Sequence, residues 1–483
     1  MKNNTLRKNR LLSAFGSLSV QQKLACIFVV LAMIFGIITI VITPPFVSPD
    51  EVAHYYNICR ISHGSLFPVV EYDAVGSYIT LEEFEFCAEN GSKYNFINSE
   101  LYSFSAFFEL LRSPASTDLV FVDHNSATIN PLAYAVISAI IFILRIFGFS
   151  FNAFSAFLFG KFINLVIYTV IIAWAISKTK ALPKTMFILA LMPMSIYQGA
   201  SLSYDAPLIA CTFLLFAYIS KIICSEKEKK VALEDIIAIT LSTVVIASTK
   251  YAYLILLLVL FTISIKKFVN TKQYFLCIGI VTAAVVVSYL IPSLILSEIA
   301  SGYQPPLTEA QVLQKEYFAS HYWEFPKVLY KTVKALWQWY ATSIYGLLGR
   351  ADVPLPMFAQ NIFYVGFAVC AALELSSVKG IRWHTRLVSL IGCAICVIGT
   401  AVAMFVSHTP LVTNAVTTEI IWGIQGRYFI PLIPFVVVVA ASPLLLKFKH
   451  NNKLQTVLTY TVIPFSIFHL VIEIYSLISA YWI

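Results

Sequence analysis

Residues 24–51 read LACIFVVLAMIFGIITIVITPPFVSPDE. From Leu24 to Thr43 no residue is charged. A run of this length reaches across the hydrocarbon core of a bilayer as a helix, which satisfies its backbone groups internally. Within eight residues the chemistry then changes. Thr43-Pro44-Pro45 ends the run, and Ser48-Pro49-Asp50-Glu51 sets a hydroxyl, a helix-starting proline and two carboxylates at the bilayer edge.

The rest of the chain repeats the first half of that pattern. Its 483 residues are 59% hydrophobic and 12% charged, about half the charged fraction of a soluble domain. Further apolar segments fall near 131–148, 152–177, 185–199, 206–223, 232–248, 251–265, 274–296, 357–378, 387–405, 427–447 and 454–476. The expected fold is therefore all-α: a polytopic integral membrane protein of roughly 11–13 transmembrane helices, forming one membrane domain over residues 1–483. No cleavable signal peptide is evident, because the apolar run behind the basic start (Lys2, Arg7, Lys8, Arg10, Lys23) is long enough to span.

The net charge of +8 does not point to nucleic acid. Its basic residues gather in short loops: Lys178 to Lys184, Lys227 to Lys230, Lys266-Lys267, Lys379 to Arg386 and Lys447 to Lys453. These loops and the N-terminus read as cytoplasmic. Residues 44–130 and 297–356 are then the first and second large outer loops, with 406–426 a third outer segment. This orientation requires an odd number of crossings over 131–177, where only two apolar segments are visible. Either one of them does not span, or three short crossings share the stretch.

Twelve of the 25 acidic residues lie in the first outer loop, against three basic ones, Arg60, Lys93 and Arg112. An Asp-Glu pair in the largest outer loop favours an enzyme over a simple channel. Ser48 through Glu51 fit a capping box, with Glu51 reaching back to the Ser48 amide. That leaves Asp50 without a fixed partner. Asp50, His54 and Asn57, spaced i, i+4 and i+7, form a polar face at the membrane surface.

Four further charges sit in or beside spans: Lys161, Asp205 (after Ser203-Tyr204), Lys250 and Arg427 (within Gln425-Gly426-Arg427-Tyr428). Singly, such residues are snorkelling anchors. Charges of both signs converging on one side instead mark a polar pathway or site. Lys250 and Arg427 suit a lipid phosphate, Arg as a bidentate fork and Lys as a point charge. Asn130-Pro131-Leu132-Ala133-Tyr134 reads as a helix start, and Gly349 to Pro354 as an outer turn. Near Pro305-Pro306, the aromatic residues Tyr317, Tyr322, Trp323, Trp337, Trp339 and Tyr340 read as a membrane belt. Cys59 and Cys87 are either a disulfide or two thiols. His124, His321 and His408 lack the spacing of a metal site. No cofactor is called, and a divalent metal is left open.

Pro44-Pro45 with Pro49-Asp50-Glu51-x-x-His54, a Gly64 ending that helix, Asn130-Pro131-x-x-Tyr134, Ser203-Tyr204-Asp205 and Gln425-Gly426-Arg427-Tyr428-x-x-Pro431 resemble a bacterial multi-pass family related to the glycosyltransferase C superfamily. The length and first outer loop are also similar to serotype-converting O-antigen glucosyltransferases. The resemblance implies a transmembrane-helix core with short interfacial helices in the 44–130 loop, in the bacterial inner membrane with the site facing the periplasm. It implies transfer of a sugar, such as glucose or another hexose, from a polyprenyl-phosphate donor to a glycan acceptor such as O-antigen. Asp50 matches the family's base, with Glu51 beside it. Arg427, Lys250 and Lys161 fall to the donor phosphate, and His54, Tyr204, Asp205, Gln425 and Tyr428 to substrate. Lys161 stands where the family has Arg, and residues 65–130 match none of its patterns.

One carboxylate suffices for such a reaction. A lipid phosphate leaves as an anion without being protonated, so one base and cations for the phosphate remain. The competing readings are a transporter or flippase of a lipid-linked sugar, and a glycan polymerase.

Overall fold

The computed structural model describes residues 16–94, 100–226, 228–303, 307–376, 378, 380–440 and 452–482. Among the basic and proline positions named above, Lys2, Arg7, Lys8, Arg10, Lys227, Pro305, Pro306, Lys379 and Lys447 lie outside these residues.

Ser19 caps α1 (Val20–Ile42), which ends at the Thr43-Pro44 break. The first loop then holds α2 (Glu51–Ser62), β1 (Val69–Glu71), β2 (Ala74–Thr80), α3 (Leu81–Asn90), α4 (Phe104–Leu111) and β3 (Leu119–Asp123). After α5 (Ala135–Ile146) and α6 (Ala153–Lys178) come α7 (Pro183–Ala190) and α8 (Pro193–Gly199), separated at Pro193. Next are α9 (Asp205–Cys224), α10 (Leu233–Thr249), a 3-10 segment (Tyr251–Thr262) and α11 (Thr271–Ile299). The second loop carries α12 (Glu309–Ser320), α13 (Phe325–Tyr345) and the ribbon β4 (Leu347–Leu348) and β5 (Val353–Pro354). The chain closes with α14 (Met357–Leu375), α15 (Trp383–Thr413), a 3-10 turn (Gly426–Leu432) leading into α16 (Ile433–Val439), and α17 (Lys453–Tyr481).

Seven of these helices, α1, α6, α9, α11, α14, α15 and α17, are long and apolar enough to cross a membrane. Shorter apolar elements, α7–α8, α10, Tyr251–Thr262 and Gly426–Val439, accompany them, and charged side chains gather at two ends. One end is basic: Lys178 and Lys221 meet Glu234, and Lys221 meets Asp235 at 2.6 Å. The other carries Asp50, Asp205, Lys250 and Arg427, and there Trp482 Nε1 donates to the Ile42 carbonyl. Buried α9 is the hub, and α6 packs against both it and α1.

One question left open by the sequence is answered, and one expectation is corrected. First, α5 has twelve residues, about 18 Å of helix, too short for a bilayer core. Residues 131–177 therefore supply one full-length helix, α6, while α5 packs against α2. Second, the first loop is not all helical. β1, β2 and β3 form an antiparallel sheet, with Val69 opposite Gly76 and Tyr78 opposite Phe121. Tyr72 and Asp73 turn the hairpin with φ of 51° and 57°, the left-handed pair that a two-residue turn requires. This sheet, α2 and α5 share an apolar core with Phe46, Tyr55, Ile58, Phe86 and Phe157. Cys59 and Cys87 are both buried in it as free thiols, so the disulfide is not formed.

Candidate functional site

The capping box read at Ser48 does not form, because the helix begins two residues too late for it. Asp50 is the residue that precedes the helix, its backbone is left-handed at φ 63°, and its side chain makes no cap hydrogen bond. Asp tolerates this region better than most residues but still carries strain there. The carboxylate is 67% exposed. Glu51 is turned the other way, into the protein. Its Oε1 accepts from the Leu202 amide at 2.9 Å and lies 3.3 Å from Lys161 Nζ.

Opposite Asp50 stands the Gln425–Tyr428 turn. Gly426 donates its N–H to Ser343 Oγ at 2.8 Å. A Cβ at this position would overlap Ser343 Oγ and the Tyr340 carbonyl and come within 2.7 Å of the Ile344 nitrogen. Only glycine lets the turn lie this close to α13. The approach directs the buried Arg427 guanidinium between two carboxylates, with Asp50 Oδ2 at 3.4 Å and Asp205 Oδ2 at 3.6 Å. Asp205 begins α9, and its Oδ1 is 2.7 Å from Lys250 Nζ at the end of α10. Lys250 also lies 4.1 Å from the centre of the Tyr428 ring, a cation–π contact. The Tyr253 hydroxyl donates to the Tyr428 carbonyl and fixes the turn from the third side.

His54 and Tyr204 complete the cluster. Their rings meet edge-on at 4.7 Å, and His54 Nδ1 shares a 2.7 Å hydrogen bond with the Tyr134 hydroxyl. Burial pushes His54 down to about 4, outweighing the pull of Asp50 and Asp205 in the other direction. At neutral pH it is an uncharged hydrogen-bonding group. The loop that carries Tyr204 and Asp205 is pinned from α6: Asn164 Nδ2 donates to the carbonyls of Ser201 and Ser203.

The structure thus brings Asp50, His54, Tyr204, Asp205, Lys250, Arg427 and Tyr428 together. Gln425 lines a small enclosed space beside Arg427. Glu51 and Lys161 form a separate pair, at most 1% exposed, behind the cluster. Tyr134, Asn164 and Ser343 are the contributors that sequence reasoning did not assign. Their signal was faint: a Tyr after a helix-starting proline, an Asn in an apolar helix, and a Ser facing an invisible glycine contact.

Two openings flank the cluster. A cleft of about 580 Å³ lies on the Asp50 side, between α2, the 124–126 turn and Arg350. A groove of about 370 Å³ reaches Tyr204 from between α10, Tyr251 and α11. Among the described residues no three His, Cys, Asp or Glu side chains are grouped to hold a metal ion.

No curated protein and no solved structure matches the chain. The family model described as a predicted membrane protein, DUF2142, matches residues 33–436, which span most of the chain and every member of the cluster. The chain therefore belongs to the DUF2142 family of predicted membrane proteins.

Proposed function

We propose that the chain is a membrane glycosyltransferase that moves a sugar, such as glucose or another hexose, from a polyprenyl-phosphate donor to a glycan acceptor such as O-antigen. In this reading the Asp50 end faces the periplasm of a bacterial inner membrane. The observation that carries it is one exposed carboxylate set against two cations that share a buried counter-ion. Asp205, buried, lies between Lys250 and Arg427, while Asp50 reaches Arg427 at 3.4 Å from a largely solvated position. That contact is the most solvent-exposed of the three and the one a ligand can displace.

A donor phosphate at Arg427 and Lys250 takes over the Asp50 contact and frees the carboxylate to act as base. The acceptor hydroxyl oxygen then forms a bond to the anomeric carbon as its proton passes to Asp50. The bond from that carbon to the phosphate oxygen breaks, and the lipid phosphate leaves with the electron pair, held by the two cations. A single displacement inverts the anomeric centre. Tyr204 and the neutral His54 offer hydrogen bonds to the sugar.

The test is the mass of the lipid-linked surface polysaccharide from cells carrying the wild-type protein or Asp50→Asn at equal membrane abundance. An added hexose with wild type and none with the variant is the expected result. An added hexose with both removes Asp50 as base. No added hexose with either removes the transferase reading and leaves transport of a lipid-linked sugar. Growth by whole repeat units would assign a polymerase instead.

A further inference from the structure

We propose that the 580 Å³ cleft on the Asp50 face is the acceptor site, and that it takes an uncharged, hydroxyl-rich sugar residue. This rests on the transferase reading and assigns the acceptor class within it. Asp50, Tyr56, His124, Asn125, Ser126 and Arg350 line the cleft.

The wall facing Asp50 is built, not incidental. Two fully buried side chains on α2, the helix that Asp50 begins, clamp the opposite turn. Asn57 Nδ2 donates to the Ser126 carbonyl at 3.0 Å, and Arg60 Nη1 to the Ala127 carbonyl at 2.9 Å. Both nitrogens of the His124 ring are engaged, Nε2 with Ser77 Oγ at 2.8 Å and Nδ1 with Ser126 Oγ at 2.7 Å. Tyr56 lies against that ring at 5.1 Å. The distance from base to wall is therefore fixed by one helix and its own hydrogen bonds, as a site that orients a hydroxyl toward a base requires.

The chemistry of the lining selects the ligand. Burial pushes His124 down to about 4, so the imidazole adds no charge at neutral pH. Arg350 is the cleft's cation, and its guanidinium already donates to the Phe46 and Gly91 carbonyls. Asp50 projects into the same space, inside a loop with twelve acids and three bases. A sugar carrying a carboxylate or phosphate meets the Asp50 carboxylate here, while the lining's cation, Arg350, is turned onto backbone carbonyls. A neutral sugar meets an amide, hydroxyls and an aromatic face, the usual partners of its hydroxyls and ring hydrogens. The groove at Tyr204 shares no lining residue with the cleft, so donor and acceptor have separate openings.

The experiment uses the full-length protein in lipid nanodiscs with two diazirine-bearing probes, maltotriose as neutral sugar and trigalacturonate as anionic sugar. Cross-linked peptides are mapped by mass spectrometry in wild type, Asp50→Asn and Asn125→Trp. Asn125 is exposed at the cleft, so the tryptophan fills the space without entering the core. The expected result is several-fold more labelling by maltotriose, on the peptides containing Asp50–Tyr56 and Asn125–Ser126. This labelling is retained in Asp50→Asn and lost in Asn125→Trp. Equal or stronger labelling by trigalacturonate, labelling that Asn125→Trp leaves unchanged, or no maltotriose labelling overturns the assignment. Sugar transfer that persists in Asn125→Trp sinks the cleft and spares the transferase. Labelling without transfer in any cellular assay keeps a neutral-glycan site and sinks the acceptor role.

Discussion

Replacing Lys161 by Met should strand the Glu51 carboxylate in the protein interior. The two groups are 3.3 Å apart and at most 1% exposed, so neither has water to fall back on. Removing one member of such a pair costs about 3–5 kcal/mol, because the remaining charge stays buried without compensation. Glu51→Gln should cost a similar amount by stranding the ammonium, although its amide oxygen still accepts from the Leu202 N–H. The double variant Glu51→Gln/Lys161→Met carries no buried charge and keeps that acceptor, so it should recover most of the loss. The assay is denaturant unfolding in mixed micelles, followed by tryptophan fluorescence for the four proteins of the cycle. Single variants no less stable than surface substitutions, or a double variant as unstable as the sum of the two, would refute a role for the pair in holding the Leu202 turn and, through it, Asp205.

Three other outcomes are expected. Gly426→Ala forces a methyl group against Ser343 and Tyr340 on α13, and overpacking of this kind costs about 1–3 kcal/mol. A lowered unfolding midpoint with weakened transfer would show it, and an unchanged midpoint would count against the close approach. His54 and His124 are each pushed from 6.5 to about 4, so the unfolded chain binds protons between these values that the folded chain does not. Stability should be complete above pH 6.5 and decline toward pH 4, by at most about 3 kcal/mol per histidine. His124→Gln should flatten the decline, measured as the thermal midpoint across that range. Lys250→Met removes a charge-assisted contact of the proposed phosphate site, worth about 1.5–3 kcal/mol. Its kcat/KM for transfer should fall by roughly ten- to a hundred-fold, with Lys250→Arg intermediate, and an unaffected rate would exclude Lys250 from the donor site.

The charges of the cluster were legible because each sits where an apolar run begins or ends. Asp50, Asp205, Lys250 and Arg427 could be placed on one side from the basic loops between the apolar runs, although a count of crossings alone fails over 131–177. What could not be read is how the side chains divide. Asp50 and Glu51 are neighbours in sequence, yet the left-handed backbone at Asp50 turns one outward and the other inward. A capping box presumes ordinary backbone angles, so the pattern matched while the geometry did not. Lys161 reads as a cation inside an apolar run, but its partner comes from the first loop, and long-range pairing leaves no local trace. The sheet was missed for a different reason. Its strands are short, and β3 joins β2 across a long insertion that includes α3 and α4. The half-length α5 is as apolar as a span, and only its twelve residues reveal it as a buttress.

The Asp50–Arg427 contact joins residues 377 positions apart. A ribosome adding about 5–20 residues per second needs roughly 20–75 seconds to travel from one to the other. Asp205 and Lys250 meet far sooner, only 45 positions apart. During synthesis the acidic half of the cluster is therefore already in the membrane while its guanidinium is still unmade. A nascent or truncated chain presents Asp50 without Arg427, and the completed arrangement dates from the insertion of the last helices. On the proposed reading, the chain remains inert toward lipid-linked sugar until its own translation is nearly finished.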